Sequence, residues 1–367
     1  MHLTRIQFRS FRNYSQLELG LAPGLVVFHG PNAQGKTNLL EGILLACTGR
    51  MLRFGDESDL IGWEQPLAQV RADLATRERG YLQLEASLPR ESSLRIKINQ
   101  VARRAADLIG LASVVVFSAE DLAVVKGDPS VRRRFLNQEL SSASRSYHWN
   151  LLRFGRALEQ RNRLLREIKD GQASPEELTG WDEQVARLGG RLMEKREQFL
   201  SEIDRFLPEA YRKICREEGR LRMSYRPALA EGEGDFESRL LSSLQSRRQE
   251  EVARAVTLSG PQRDDIEITL AQVPLRTFGS QGEQRSAAVA LRLALLRWLE
   301  EKVGESPLLL LDDVFSELDP SRRSALLEEL SGVEQALVTC TDRDDLPSGA
   351  AAGSLFRVTG GRVEAEP

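Results

Sequence analysis

Eight consecutive residues narrow the possible folds of this chain more than any other feature. Gly30, Pro31, Asn32, Ala33, Gln34, Gly35, Lys36 and Thr37 match the spacing G-x-x-x-x-G-K-[ST]. A glycine-rich turn can match by chance, so the flanks decide what the match means. Leu25-Val26-Val27-Phe28 before it is a short continuous apolar run, as expected of a strand buried on both faces. Leu39, Leu40, Ile43 and Leu44 after it recur at helical spacing. Between such a strand and helix, the turn aims successive backbone N–H groups at an anion, and the helix end adds positive partial charge. On this reading the segment from Gly30 to Asn38 holds nucleotide phosphates. Lys36 supplies a point charge to the β- and γ-phosphates, and the Thr37 hydroxyl ligates Mg²⁺.

A phosphate loop needs an acidic second half. The apolar run Leu308-Leu309-Leu310-Leu311 ends in Asp312 and Asp313. Asp312 would hold Mg²⁺ with Thr37, while Asp313 would orient or polarise the attacking water, which makes Lys36 and Asp313 the catalytic pair. Alone, the two carboxylates would read as an acidic turn capping a core strand. A third motif, Ser280, Gln281, Gly282, Glu283 and Gln284, opens a helix carrying Ala288, Leu291, Leu293, Leu295 and Leu296. Its start is a second anion site in principle. One nucleotide does not need two phosphate-binding helix ends. A dimer does, if each site joins the phosphate loop of one copy to the Ser280 helix of the other. The plainer reading is an N-cap with Ser280 and Glu283 forming a capping box, and the two are compatible.

The rest of the chain organises around these motifs. Leu3, Ile6 and Phe8, then Leu17, Leu19 and Leu21, alternate as strands, and more strands are expected between residues 67 and 118. From Phe135 to Ile168 and from Trp181 to Phe206 the apolar residues recur every three or four positions, separated by the breaker stretch around Gly171 and Pro175. That predicts two amphipathic helices packed antiparallel, with a third between Phe236 and Val256. The expected organisation is a split nucleotide-binding domain (residues 1–126 and 257–367) with a helical insertion (residues 127–256). The three cysteines and three histidines have no metal-ligand spacing, and no apolar run approaches membrane length. The first residues lead directly into a strand pattern, so a cytoplasmic protein is expected.

A net charge of −3 does not announce a polyanionic partner, but arginines cluster locally. Arg103 and Arg104, the triplet Arg132, Arg133 and Arg134, and the helical set Arg153, Arg156, Arg161, Arg163 and Arg166 are the groups that would meet DNA phosphates, without reading sequence. The alternative for each is a solvated helix face with partners such as Arg163–Glu167.

The order of the motifs, closed by Ser316-Glu317-Leu318-Asp319, resembles the ABC-type P-loop ATPase head. That fold is α/β, a mixed sheet flanked by helices, here with an inserted helical subdomain. Ser280 to Gln284 resembles its signature motif, and Ser316 and Asp319 its D-loop, which in that family reaches across a dimer. Phe11-Arg12-Asn13-Tyr14, with Thr37-Asn38-Leu39-Leu40-Glu41, resembles the SMC-like branch, in which Arg12 would reach the phosphates. Residues 116–122, 126–136, 258–265 and 311–319 are similar to the RecF family of bacterial recombination mediators, and the resemblance covers about residues 1–360. It implies an ATP-driven homodimer that binds gapped or single-strand–double-strand junction DNA. It also implies a RecR-type partner, RecA loading, and slow, DNA-stimulated hydrolysis serving as a switch. Departures from the pattern concern Asp313, where such heads carry Glu, and Thr341 or Asp342, where they carry a switch histidine. Ser118-Ala119-Glu120 offers no secure loop glutamine, and Asn137 and Gln262 replace an expected Asp and His. Three rival functions remain. An SMC-like chromosome organiser would need a far longer heptad arm, and a transport ATPase subunit a membrane partner. A nucleotide-gated binding protein would lack useful turnover.

Overall fold

The computed structural model describes residues 1–53, 55–217, 219–230, 232–346 and 353–366. Two compact units emerge: Met1–Leu122 with Phe206–Gly219 and Ser280–Pro367, and Ala123–Arg205 with Arg220–Gly279. The inserted unit therefore runs past residue 257 to Gly279, and it returns Phe206–Gly219 to the first unit. The cause is local. Pro208 lies in the first turn of a new helix, Leu207–Cys215, which packs on the helices Gln281–Val303 and Pro320–Leu330. Lys213 pairs with Glu329 at 3.0 Å and Arg216 with Glu328 at 2.7 Å.

In the first unit, five parallel strands run in the order Ser354–Thr359, Gly24–His29, Gln335–Cys340, Leu308–Asp312 and Val114–Ser118, with Arg362–Glu366 antiparallel at one edge. Register aligns Asp312 with Thr339 and Ser118, and Cys340 with His29, so the carboxyl ends of these strands share one edge. Ligands of open α/β sheets bind outside that edge. A second, antiparallel sheet is ordered Tyr14–Gly20, His2–Phe11, Leu67–Thr76, Gly80–Pro89, Arg95–Ile98 and Val101–Arg103.

The helix Lys36–Thr48 lies between the two sheets, which explains its apolar circumference. Leu39, Leu40, Ile43 and Leu44 share one core with Leu3, Ile6 and Phe8 of the antiparallel sheet and with Val26, Leu310 and Leu337 of the parallel sheet. The fit is close at Gly42, where a Cβ would stand 2.4 Å from the Phe8 ring. Gly49, at φ 69°, ends the helix by donating its N–H to the Leu45 carbonyl.

The second unit holds the expected helix pair, Arg145–Lys169 and Leu178–Asp204. Arg161 meets Asp182, Tyr147 meets Arg196, and Ile168 shares a cluster with Leu178, a pattern only antiparallel packing gives. The third helical stretch is broken at Arg247 into Phe236–Ser246 and Arg248–Arg254. The unit is not wholly helical: Leu221–Arg226, Asp265–Leu270 and Val273–Pro274 form a small antiparallel sheet.

Candidate functional site

The glycine-rich turn adopts a curl that side chains would obstruct. Gly30 has φ 146°, and a Cβ there would lie 2.4 Å from the Val358 carbonyl oxygen. Gly35 has φ 113°, and its Cβ would meet the Asn13 side chain at 2.5 Å. Lys36 folds back into the curl, its Nζ donating to the carbonyls of Gly30 at 2.5 Å and Pro31 at 2.9 Å. Burial pulls the Lys36 pKa below its ordinary value, opposed chiefly by the nearby charge of Asp313.

Across the edge, Thr37 Oγ1 donates to Asp312 Oδ1 at 2.9 Å, and Thr339 Oγ1 reaches the same oxygen at 2.9 Å. Burial raises the Asp312 pKa, against the lowering effect of these two hydroxyls. Asp313 takes a left-handed backbone, φ 53°, held by its N–H on Thr339 Oγ1 at 3.0 Å. Burial raises its pKa too; the Ser316 hydroxyl opposes this and the Asp312 charge adds to it. Its Oδ1 is enclosed and makes no hydrogen bond within the described residues. A hydroxyl and a carboxylate at bonding distance suit a hard divalent cation that takes its other oxygens from phosphates and water. The spare Asp313 oxygen beside them can accept a proton or orient a water. No cluster of three or more metal-binding side chains occurs among the described residues, and Mg²⁺ sites of this type need none.

Several side chains brace the loop through contacts that no local pattern specifies. Asn13 Nδ2 donates to the Gln34 carbonyl at 2.9 Å, Tyr14 OH donates to the Gly35 carbonyl at 3.0 Å, and Asn38 Nδ2 donates to Asn13 Oδ1 at 2.8 Å. From the other side, the Gly360 N–H bonds Gln34 Oε1 at 2.8 Å and the Gly361 N–H bonds the Gln34 carbonyl at 3.1 Å. Thr341 Oγ1 donates to Asn32 Oδ1 at 3.1 Å, so of the two residues considered for the switch position it is Thr341 that touches the loop. Arg12 is anchored on buried Glu41 at 2.9 Å and on the Asp59 carbonyl at 3.0 Å. Arg53 was not anticipated; it donates to Asn38 Oδ1 at 2.9 Å and its charge favours ionised Asp312.

Ser280 caps the helix Gln281–Val303. Its Oγ accepts the Glu283 N–H at 3.3 Å, and Glu283 Oε2 accepts the Ser280 N–H at 2.8 Å. The capping box is therefore present. Ser280 and Glu283 bond one another within their turn, which stays partly solvent-exposed. In the D-loop segment, Ser316 Oγ donates to the Asp313 carbonyl at 2.8 Å, and Asp319 caps the helix Pro320–Leu330.

The arginine expectations need correction. Arg132 is buried, forking onto Asp265 at 2.6 and 2.9 Å and onto the Gly127 carbonyl at 2.8 Å. Arg133 donates to the Asp264 carbonyl at 2.8 Å. Arg161 is fully enclosed, within 2.8 Å of Asp182 and 2.7 Å of Glu251. Arg132 and Arg161 hold the inserted unit together and do not present charge to a ligand. Arg103 and Arg104 are exposed at the end of the edge strand Val101–Arg103, and Arg134, Arg153, Arg156, Arg163 and Arg166 are also exposed. Asn137 accepts from Tyr147 and Arg196, both at 2.9 Å, and Gln262 donates to the Ser259 carbonyl at 2.9 Å, so both departures serve packing of the inserted unit.

Comparison with known proteins gives similarity along nearly the whole chain. The family model described as the RecF/RecN/SMC N terminal domain matches residues 2–363. The chain is 37% identical to the DNA replication and repair protein RecF of Heliobacterium modesticaldum, over 99% of both chains. It is 40% identical to the protein of that name from Symbiobacterium thermophilum, over 99% of this chain and 98% of the other. Among solved structures, the recombination mediator protein RecF-ATPrS in the RecFOR pathway superposes with a TM-score of 0.92 at 30% identity, covering 100% of this chain and 98% of that one. The Smc head domain of Pyrococcus furiosus, at 15% identity and a TM-score of 0.57, shares the fold.

Proposed function

The chain belongs to the RecF family of DNA replication and repair proteins, and from that premise we propose that two copies bind two ATP molecules head to tail and close on DNA. The observation that carries this reading is the division of labour in one chain. Lys36, Thr37, Asp312 and Asp313 converge at one sheet edge, while Ser280 opens a separate partly exposed helix end. The solved relative bound to an ATP analogue supports nucleotide binding at the loop.

In the closed pair, the N–H groups of Gly30–Thr37 and Lys36 would bind the phosphates of one nucleotide, and Ser280 to Gln284 of the other copy would complete the anion site. Thr37 and Asp312 would hold Mg²⁺, which would supply positive charge to the phosphates. Asp313 would accept the proton of the attacking water through its unspent Oδ1. A carboxylate one methylene shorter than Glu, and a threonine where a histidine would act, fit slow turnover that times release from DNA. The partners under this reading are gapped or junction DNA, a RecR-type protein and the recombinase it helps load, in the cytoplasm. The two long helices of the inserted unit, 25 and 27 residues, extend about 40 Å each, far too short for a chromosome-organising arm.

Light scattering is expected to show association that needs Mg-ATP and is strengthened by gapped DNA. Ser280→Arg should abolish that association and the turnover that depends on it, while one ATP still binds each chain. If Mg-ATP leaves the wild-type protein at its resting mass, the composite site is wrong. For the DNA surface, Arg103→Glu with Arg104→Glu is expected to weaken binding and to reduce the slope of log affinity against log salt by about 2. Arg132→Ala should instead destabilise the protein, and an unchanged salt slope in the Arg103/Arg104 double variant would remove that edge from the interface.

A further inference from the structure

We propose that Arg285 and Glu317 form a positioning pair that ties each chain's signature turn to its own carboxylate edge, so that the two sites of the dimer hydrolyse ATP cooperatively. The inference rests on the dimeric reading above. Arg285 follows Gln284 directly and sits on the first turns of the helix Gln281–Val303. Its guanidinium lies 2.8 Å from Glu317 Oε2 and also donates to the Glu317 carbonyl at 3.2 Å. A fork that takes both the side chain and the main chain of one residue fixes position, which a single exposed ion pair does not.

Glu317 is one residue beyond Ser316, whose hydroxyl holds the Asp313 carbonyl at 2.8 Å. A continuous path therefore runs Asp313, Ser316, Glu317, Arg285, signature turn. Arg322 runs beside it, bound to Asp319 at 2.6 Å and so close to Gly282 that a Cβ there would stand 3.3 Å from its Nη1. A cavity beside the pair is lined by Phe117, Ala288, Val289, Val314 and Leu318, with Arg285 and Glu317 on its wall. Val314, Phe315 and Leu318 are buried, so the segment is seated on the core, and the arginine contacts add the polar tie to the signature helix. In a head-to-tail dimer, Asp313 serves the nucleotide on its own phosphate loop, and the signature turn serves the nucleotide on the partner's. The Arg285–Glu317 pair then joins site one to site two within a single chain.

The test compares ATP turnover against Mg-ATP concentration, with gapped DNA present, for the wild-type protein, Arg285→Glu, Glu317→Arg and the double exchange Arg285→Glu/Glu317→Arg. Wild type is expected to show a Hill coefficient well above 1, the ceiling for two sites being 2. Each single variant should fall to about 1 and lose roughly 5-fold or more in turnover, a change of the size that coupling between sites produces. Calorimetry should find ATP binding to each chain unchanged, and the double exchange, which re-forms the side-chain ion pair but not the bond to the residue-317 carbonyl, should restore cooperativity in part. Single variants that stay cooperative, a wild type that associates with Mg-ATP yet responds hyperbolically, or a folded double exchange as impaired as the singles would each overturn the proposal. Absence of Mg-ATP-dependent association in the wild type would instead sink the dimeric reading itself.

Discussion

Lys36→Ala is expected to lower ATP turnover by at least about a hundredfold, the loss that follows removal of one pre-positioned charge from a developing anion. The side chain is already in place: its Nζ lies on the carbonyls of Gly30 and Pro31 inside the curl. It also faces the charges of Asp313 and Asp312, so deletion removes the cation nearest Asp313 and leaves Arg53 acting on Asp312. Phosphates approaching that edge would then meet less compensated negative charge. Lys36→Arg should not rescue turnover, because a planar fork cannot follow a turn shaped for a single ammonium. Single-turnover hydrolysis and calorimetry with ATP measure the two parts of the effect, and a thermal melt checks the fold. Turnover within tenfold of wild type would show that this loop is not the hydrolytic site.

Arg161→Ala should act through stability alone and act strongly. The guanidinium is fully enclosed against Asp182, Glu251 and the Thr257 hydroxyl at 2.8 Å. Asp182 also pairs with Arg248 at 2.6 Å, and Glu251 accepts the Leu258 N–H at 2.7 Å. Removing the central cation strands buried carboxylates, at a cost of about 3–5 kcal/mol. For a protein of this size that is a fall of about 4–6 °C in melting temperature. The control lies on the same helix: Arg163→Ala removes an exposed i,i+4 pair with Glu167 and should change stability by less than about 0.5 kcal/mol. Equal melting points for the two variants would contradict the buried network.

Those two arginines also mark the limit of sequence reading. Arg161 and Arg163 stand two residues apart in a run of similar composition, and nothing local separates them. What separates them is Asp182 and Glu251, brought in by two other helices. The same holds for Arg132, inside a basic triplet but claimed by Asp265, far along the chain. The phosphate loop, the apolar strands and the pair Asp312–Asp313 were legible because each is a local pattern with a local cause. Asn13, Tyr14 and Arg53 were not legible as loop contacts, since their roles come from the packing of a second sheet and a following loop onto the first helix. The domain seam moved for a related reason. Pro208 marks where Leu207–Cys215 begins, but the partners of its buried face, Leu207, Ala210, Tyr211 and Ile214, lie on two helices far along the chain and decide where it packs.

The grip of two distant hairpins on Gln34 has a consequence for synthesis. Gly24–His29 is made long before its neighbours in the sheet, Gln335–Cys340 and Ser354–Thr359. The turn at Gly360 and Gly361, which fastens the loop from one side, is made later still. A nascent chain released before those residues can have no finished phosphate loop, however much of the rest has folded. The contacts that hold Gln34 therefore form only after Gly360 and Gly361 have been synthesised, and copies terminated before them lack that side of the grip.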